Sequence, residues 1–137
     1  MKPLIISLAI NGRDNYIEKQ KKLIETLHLA GDCDTWILNE YPKGVTPHEI
    51  TPYKFKYDLI KQAYDTGYRK IFWLDSTMRL LKNPFELLDQ SKDGIVAFDN
   101  IGHPIYKYIT DLAVENLNCE NYLHNIKNTW GGALGFD

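Results

Sequence analysis

Cysteine is scarce in this 137-residue chain. The two present, Cys33 and Cys119, lie far apart and outside any CxxC or Cys/His cluster. That usage indicates no disulfide framework, argues against a zinc site, and fits a reducing, cytoplasmic setting. Basic excess is lacking too. Sixteen Lys and Arg face eighteen Asp and Glu, for a formal net charge of -2, so no global field attracts nucleic acid. Long hydrophobic runs are absent: Leu4 to Ile10 is interrupted by Ser7 and too short to span a bilayer, so no membrane insertion is expected. His28, His48, His103 and His124 stand apart, with no HxxxH or HxH spacing. No P-loop, Gly-x-Ser-x-Gly elbow or Gly-rich dinucleotide fingerprint occurs. Mechanisms that need that phosphate cradle or nucleophile elbow lack their parts.

What is present reads as one globular domain over residues 1–137. Hydrophobic residues make up 44% and charged residues 25%, a balance neither disordered nor membrane-like. Pro3 to Ile10 predicts a buried strand, being β-prone and nearly continuously apolar. After a turn at Asn11–Asp14, Asn15 and Glu18 stand at capping-box spacing. The helix they open carries Ile17, Ile24 and Leu27 at helical intervals, with Tyr16 and Leu23 beside them, and ends near Gly31. Asp34 to Asn39 predicts a second strand, followed by a loop broken by Pro42, Gly44 and Pro47. Thr51 and Pro52 are expected to start the next helix. Its stripe of Tyr53, Tyr57, Ile60 and Tyr64 is expected to face the core, and Gly67 to close it. Lys70 to Leu74 predicts a third strand. Beyond it come a short Pro84-led helix and a fourth strand, Gly94 to Phe98, ending at Asp99-Asn100. One or two helices lie between Pro104 and Lys127, ahead of a glycine-led last strand. Strand alternating with helix predicts an open, mostly parallel α/β sheet with flanking helices.

Ligands of such sheets sit at the carboxyl ends of the strands. The apolar run Ile71-Phe72-Trp73-Leu74 stops there at Asp75-Ser76-Thr77, as earlier strands stop at Asn11-Gly12 and Asn39-Glu40. Two jobs suit Asp75. It can ligate magnesium or manganese, which take oxygen ligands and keep waters and phosphates around them, or it can cap the next turn. Ser76 and Thr77 add hydroxyls for a metal, phosphate or sugar oxygen. Lys54, with Lys56, stands near a helix N-terminus, where phosphate is favoured; a solvated lysine is the alternative. Trp130-Gly131-Gly132 permits close backbone approach to a ligand, or is a turn into a strand. Asp99, Asn100 and Asp137 follow strands, as site residues or as turn chemistry.

The segment IFWLDSTMRLLKNPFELL resembles the metal-motif region of glycosyltransferases with the nucleotide-sugar (GT-A) fold. In those proteins an apolar strand ends in a short acidic motif, usually Asp-x-Asp, ahead of a Pro-led helix. PYKFKYDLIKQAYDTGYRK is similar to the helix before that motif, and TWGGALGFD to a small-residue turn entering a strand near the donor sugar. SLAINGRDNY is similar to the segment lining the nucleotide base. The four agree in order and span nearly the whole chain. The resemblance implies a Rossmann-like nucleotide-sugar transferase core. Its activity would be sugar transfer from a nucleotide diphosphate donor to an unidentified acceptor, with Mn²⁺ or Mg²⁺ bridging the phosphates. It further implies nucleotide-sugar contacts from Ala9, Asn11, Tyr16, Asn39, Lys54, Asp75, Ser76, Thr77, Asn100, Trp130, Gly131 and Gly132. The metal ligands would be Asp75 and Thr77, and the catalytic candidates Asp99 and Asp137.

This chain departs from the pattern twice. Thr77 stands where the second acid belongs, so metal binding is expected to be weak, water-mediated or absent. Such enzymes also continue into an acceptor-side half, whereas the sequence stops at Asp137, which fits a fragment, a compact variant or a degenerate copy that binds without turning over. Both departures carry an alternative from another class: a non-catalytic binding or interaction domain on the same fold.

Overall fold

Among the described residues of the computed structural model (1–107, 109–122 and 127–137), the chain runs β1 (Leu4–Leu8), α1 (Tyr16–Ile24), β2 (Asp34–Leu38), α2 (Lys54–Asp65), β3 (Ile71–Leu74), α3 (Phe85–Gln90), β4 (Ile95–Pro104), α4 (Asp111–Leu117) and β5 (Lys127–Phe136). The strands form one sheet in the order β2-β1-β3-β5-β4. β1 lies parallel to both neighbours, with Leu4 opposite Asp34 on one side and Ile71 on the other. β5 runs antiparallel to β3, pairing Ile71 with Phe136 and Leu74 with Ala133. The mostly parallel open sheet with flanking helices is thus as the alternation predicts.

The nearly continuous apolar strands follow from burial on both faces. Side chains alternate across the sheet. Leu4, Ile6, Leu8, Ile71 and Trp73 pack with Leu59 and Ala63 of α2. Ile5, Phe72 and Leu74 pack with Leu23 of α1 and with Phe85 and Leu88 of α3. Ser7 sits on the α1 side, fully buried, where its hydroxyl accepts from Gln20 Nε2 at 3.1 Å. The interruption in the first apolar run is therefore a satisfied polar contact rather than a flaw.

Local signals behave as their chemistry dictates at α1 and at the end of α2. Asn15 Oδ1 accepts from the Glu18 N–H at 3.2 Å. Past α2, Gly67 adopts φ 106°, and the Tyr68 N–H reaches the Ala63 carbonyl at 3.1 Å, a glycine-closed helix end. Three expectations are corrected. α2 begins at Lys54 rather than at Thr51-Pro52, with Tyr53 in the left-handed region at φ 63°. Its tyrosine stripe faces solvent: Tyr53 is 66%, Tyr57 62% and Tyr64 55% exposed. The buried face is instead Asp58, Leu59 and Ala63, which the larger aromatic stripe conceals from a periodicity reading. β4 does not end at Asp99-Asn100 but continues to Pro104.

The chain divides into two units, Met1–Val96 with Gly132–Asp137, and Ala97–Gly131. In the second, Thr110 Oγ1 caps α4 by accepting from the Ala113 N–H at 3.2 Å. Among the described residues no helix is long and apolar enough to cross a membrane.

Candidate functional site

The first unit holds a cleft of about 480 Å³ at the carboxyl ends of β1 and β3. That lies within the range of about 300–1,000 Å³ typical of small-molecule sites. β1 delivers Leu8, Ile10, Asn11 and Gly12 to it, and β3 delivers Trp73 and then Asp75, Ser76 and Thr77. Tyr16 comes from the start of α1. The loop after β2 adds Tyr41, His48, Glu49 and Tyr53, and the first turn of α2 adds Phe55 and Lys56.

At the floor, Asp75 Oδ1 accepts from Lys56 Nζ at 2.9 Å and from the Trp73 indole N–H at 2.8 Å. The Lys56 ammonium also lies 5.3 Å from the Trp73 ring centroid and 5.7 Å from that of Tyr53, within cation–π reach. Asp75 holds its own strand end as well. Its N–H donates to the Gly132 carbonyl at 2.8 Å, and its carbonyl accepts from the Met78 N–H at 2.9 Å to close the turn. The capping of that turn is thus done by the backbone, and Oδ1 of the carboxylate is committed to Lys56 and Trp73. Ser76 is buried and Thr77 exposed.

The loop wall is fixed to α2. Asp58 accepts from Lys54 Nζ at 2.6 Å and from the Thr46 N–H at 2.8 Å. These two bonds, Lys54 first, hold its carboxyl down at about 2. Nearer the cleft, His48 Nδ1 accepts from the Tyr53 N–H at 3.2 Å, and the two rings meet edge-on at 4.8 Å. That bond requires an unprotonated Nδ1. It also helps hold Tyr53 in a left-handed conformation that costs a bulky residue energy.

The sequence-predicted residues divide accordingly. Asn11, Tyr16, Asp75, Ser76 and Thr77 line the cleft together. Asn11 Oδ1 also accepts from the Ile17 N–H at 3.0 Å. Lys54 is a correction: it pairs with Asp58, and Lys56 is the lysine that meets Asp75. Two helix positions differ by about 200° around the axis, so the two lysines cannot share a target. Asp137 is another correction. Because β5 is antiparallel, its carboxyl end lies at the amino end of β3, beside Lys70 at 3.7 Å and away from Asp75. Ala9 is buried and its N–H donates to the Leu38 carbonyl. Asn39 donates to Gln20 Oε1 at 2.8 Å. Asp99, Asn100, Trp130 and Gly131 belong to the second unit, while Gly132 belongs to the first. Sequence reasoning passed over Tyr41, His48 and Glu49. Their one available signal was position, on a loop that leaves a strand at its carboxyl end.

The donor set at Asp75 is poor for a divalent ion: one carboxylate, the neutral hydroxyl of Thr77, and an ammonium already on Oδ1. A hard cation takes about six oxygens, several of them carboxylates or phosphates. Here one carboxylate is already engaged by an ammonium on Oδ1. Among the described residues no group of three or more His, Cys, Asp or Glu is placed to hold a metal.

No protein-family model matches the chain, and no curated protein does. Among solved structures, it is similar to the crystal structure of a glycosyltransferase involved in the glycosylation of the major capsid of PBCV-1. The TM-score is 0.53 at 14% identity, over 98% of this chain and 60% of that one. The chain therefore has a glycosyltransferase-like fold and spans about three-fifths of that neighbour's length.

Proposed function

We propose that this chain binds a nucleotide diphosphate sugar in the cleft and acts as a glycosyltransferase-like domain, passing the sugar to an acceptor. The observation that carries the reading is the meeting of Lys56, Asp75, Ser76 and Thr77 beneath aromatic walls at the strand ends. Each part has a chemical use. Tyr16, Tyr41 and Phe55 offer aromatic rings to a base or sugar. Ser76 and Thr77 bring hydroxyls to phosphate or sugar oxygens. Lys56 and the positive end of α2 stabilise negative charge as the diphosphate leaves, which is where a transferase needs help. The glycosyltransferase-like fold agrees with the reading, and so does the position of the cleft in the sheet.

Calorimetric titration with UDP, GDP and ADP tests it. Saturable binding of at least one, competed by the corresponding sugar nucleotide, is the expected result. No heat with any of the three would end the reading.

A second reading keeps the ligand and drops the transfer. It is favoured by the engagement of Asp75 with Lys56 and the placement of Asp137 at the far end of β3. Binding without hydrolysis or transfer of any bound sugar nucleotide would select it.

A further inference from the structure

We propose that Lys56 occupies the place a divalent cation would take beside Asp75, so that the cleft receives its diphosphate without a metal. This rests on the nucleotide reading above and sharpens it: the cleft selects a ligand whose phosphates are met by an ammonium.

The geometry is specific. Asp75 Oδ1 takes two N–H donors, from Lys56 at 2.9 Å and from Trp73 at 2.8 Å. A divalent ion on that oxygen, about 2.0–2.6 Å away, would press against the ammonium. Two cations at such separation repel strongly in a half-buried site. The lysine is not a loose surface chain. Its side chain is only 13% exposed, and the rings of Trp73 and Tyr53 lie against its charge. Thr77, at the second acid's position, adds a neutral hydroxyl and no charge for a metal.

Charge counting sets the consequence. A divalent ion with one carboxylate leaves a net charge of +1, whereas the Lys56–Asp75 pair is neutral. Binding should be weaker than at a metal-bridged site, and indifferent to chelators. Asp75 then acts as a positioning residue for Lys56.

The test is calorimetry of the full chain with UDP, or with whichever of UDP, GDP and ADP binds, in EDTA and again in Mn²⁺. Electron paramagnetic resonance of Mn²⁺ is followed in parallel. The expected result is equal affinity in both buffers and no protein-bound Mn²⁺. Lys56→Met should weaken binding about ten- to a hundredfold, as loss of a charge-assisted hydrogen bond does. Asp75→Asn, which keeps an acceptor oxygen for Trp73 and Lys56, should weaken it less. Binding that requires Mn²⁺, with the ion lost in Asp75→Asn, would overturn the proposal and leave the nucleotide reading standing. Failure of all three nucleotides in both buffers would overturn both. The comparison of buffers uses the unaltered chain, so misfolding of a variant does not blunt it.

Discussion

At the carboxyl end of β3, Lys56 meets Asp75 at 2.9 Å with its side chain 13% exposed and two aromatic rings against its charge. At the amino end, Lys70 bonds Asp89 and lies 3.7 Å from Asp137, with its side chain 38% exposed. The groups are the same; the surroundings differ. The Lys70 cluster ties α3 and the end of β5 to β3, and the Asp137 N–H adds a bond to the Gly94 carbonyl at 2.7 Å. Ion pairs so open to water contribute about 0–1 kcal/mol each. The Lys56 pair sits where water is displaced by rings, beside hydroxyls and an open cavity. A lysine–aspartate contact therefore says little by itself. Burial and neighbours decide whether it fastens the fold or faces a ligand.

Substitutions along β3 and its partner β5 separate the two ends. Trp73→Ala removes a buried ring, the indole donor to Asp75 and the cation–π contact. It should cost about 3–5 kcal/mol in urea unfolding and disorder the cleft end most. Gly135→Ala comes next. A Cβ there would stand 2.7 Å from Phe72 Cε2 and 3.2 Å from Leu88 Cδ2. Such overpacking between β5 and β3 should cost about 1–3 kcal/mol by the same measurement. Lys70→Met should shift stability by less than about 1 kcal/mol and leave nucleotide titration unchanged. A loss of nucleotide affinity in that variant would erase the distinction between the two ends.

Acid dependence tests the cleft wall separately. Asp58 titrates at about 2 when folded, below its ordinary 3.8. Its contribution is therefore complete above about pH 4 and is lost as pH falls towards 2. Thermal melts across that window should show a gentler fall in Tm for Asp58→Asn than for the unaltered chain. Because Asp58 fixes the loop bearing His48 and Glu49, the wall of the cleft should loosen first, seen as earlier quenching of Trp73 fluorescence in a chain with Trp36→Phe and Trp130→Phe.

Much of the fold was legible because its signals are local. Asn15 with Glu18, Gly67 past α2, and the run Ile71–Leu74 ending at Asp75 act through neighbours at fixed spacing. The misreadings share a different cause. The tyrosines of α2 recur at helical intervals, yet periodicity does not say which face meets the sheet; smaller Leu59 and Ala63 fit against β1 and β3. Lys54 and Lys56 look alike on paper, and only the rotation of α2 on the sheet separates them. Asp137 follows a strand, as Asp75 does, but the direction of β5 puts it at the other end.

The alternation of strand and helix, the two-faced burial of β1 and β3, and an acid with two hydroxyls at a strand's carboxyl end are all written along the chain. Those follow from side-chain size, branching and capping chemistry along the chain. Which lysine reaches Asp75, which loop walls the cleft, and which acids lie far from it emerge only on packing. Those are distances between segments remote in sequence, fixed by how helices dock and which way a strand runs, and no local pattern encodes them.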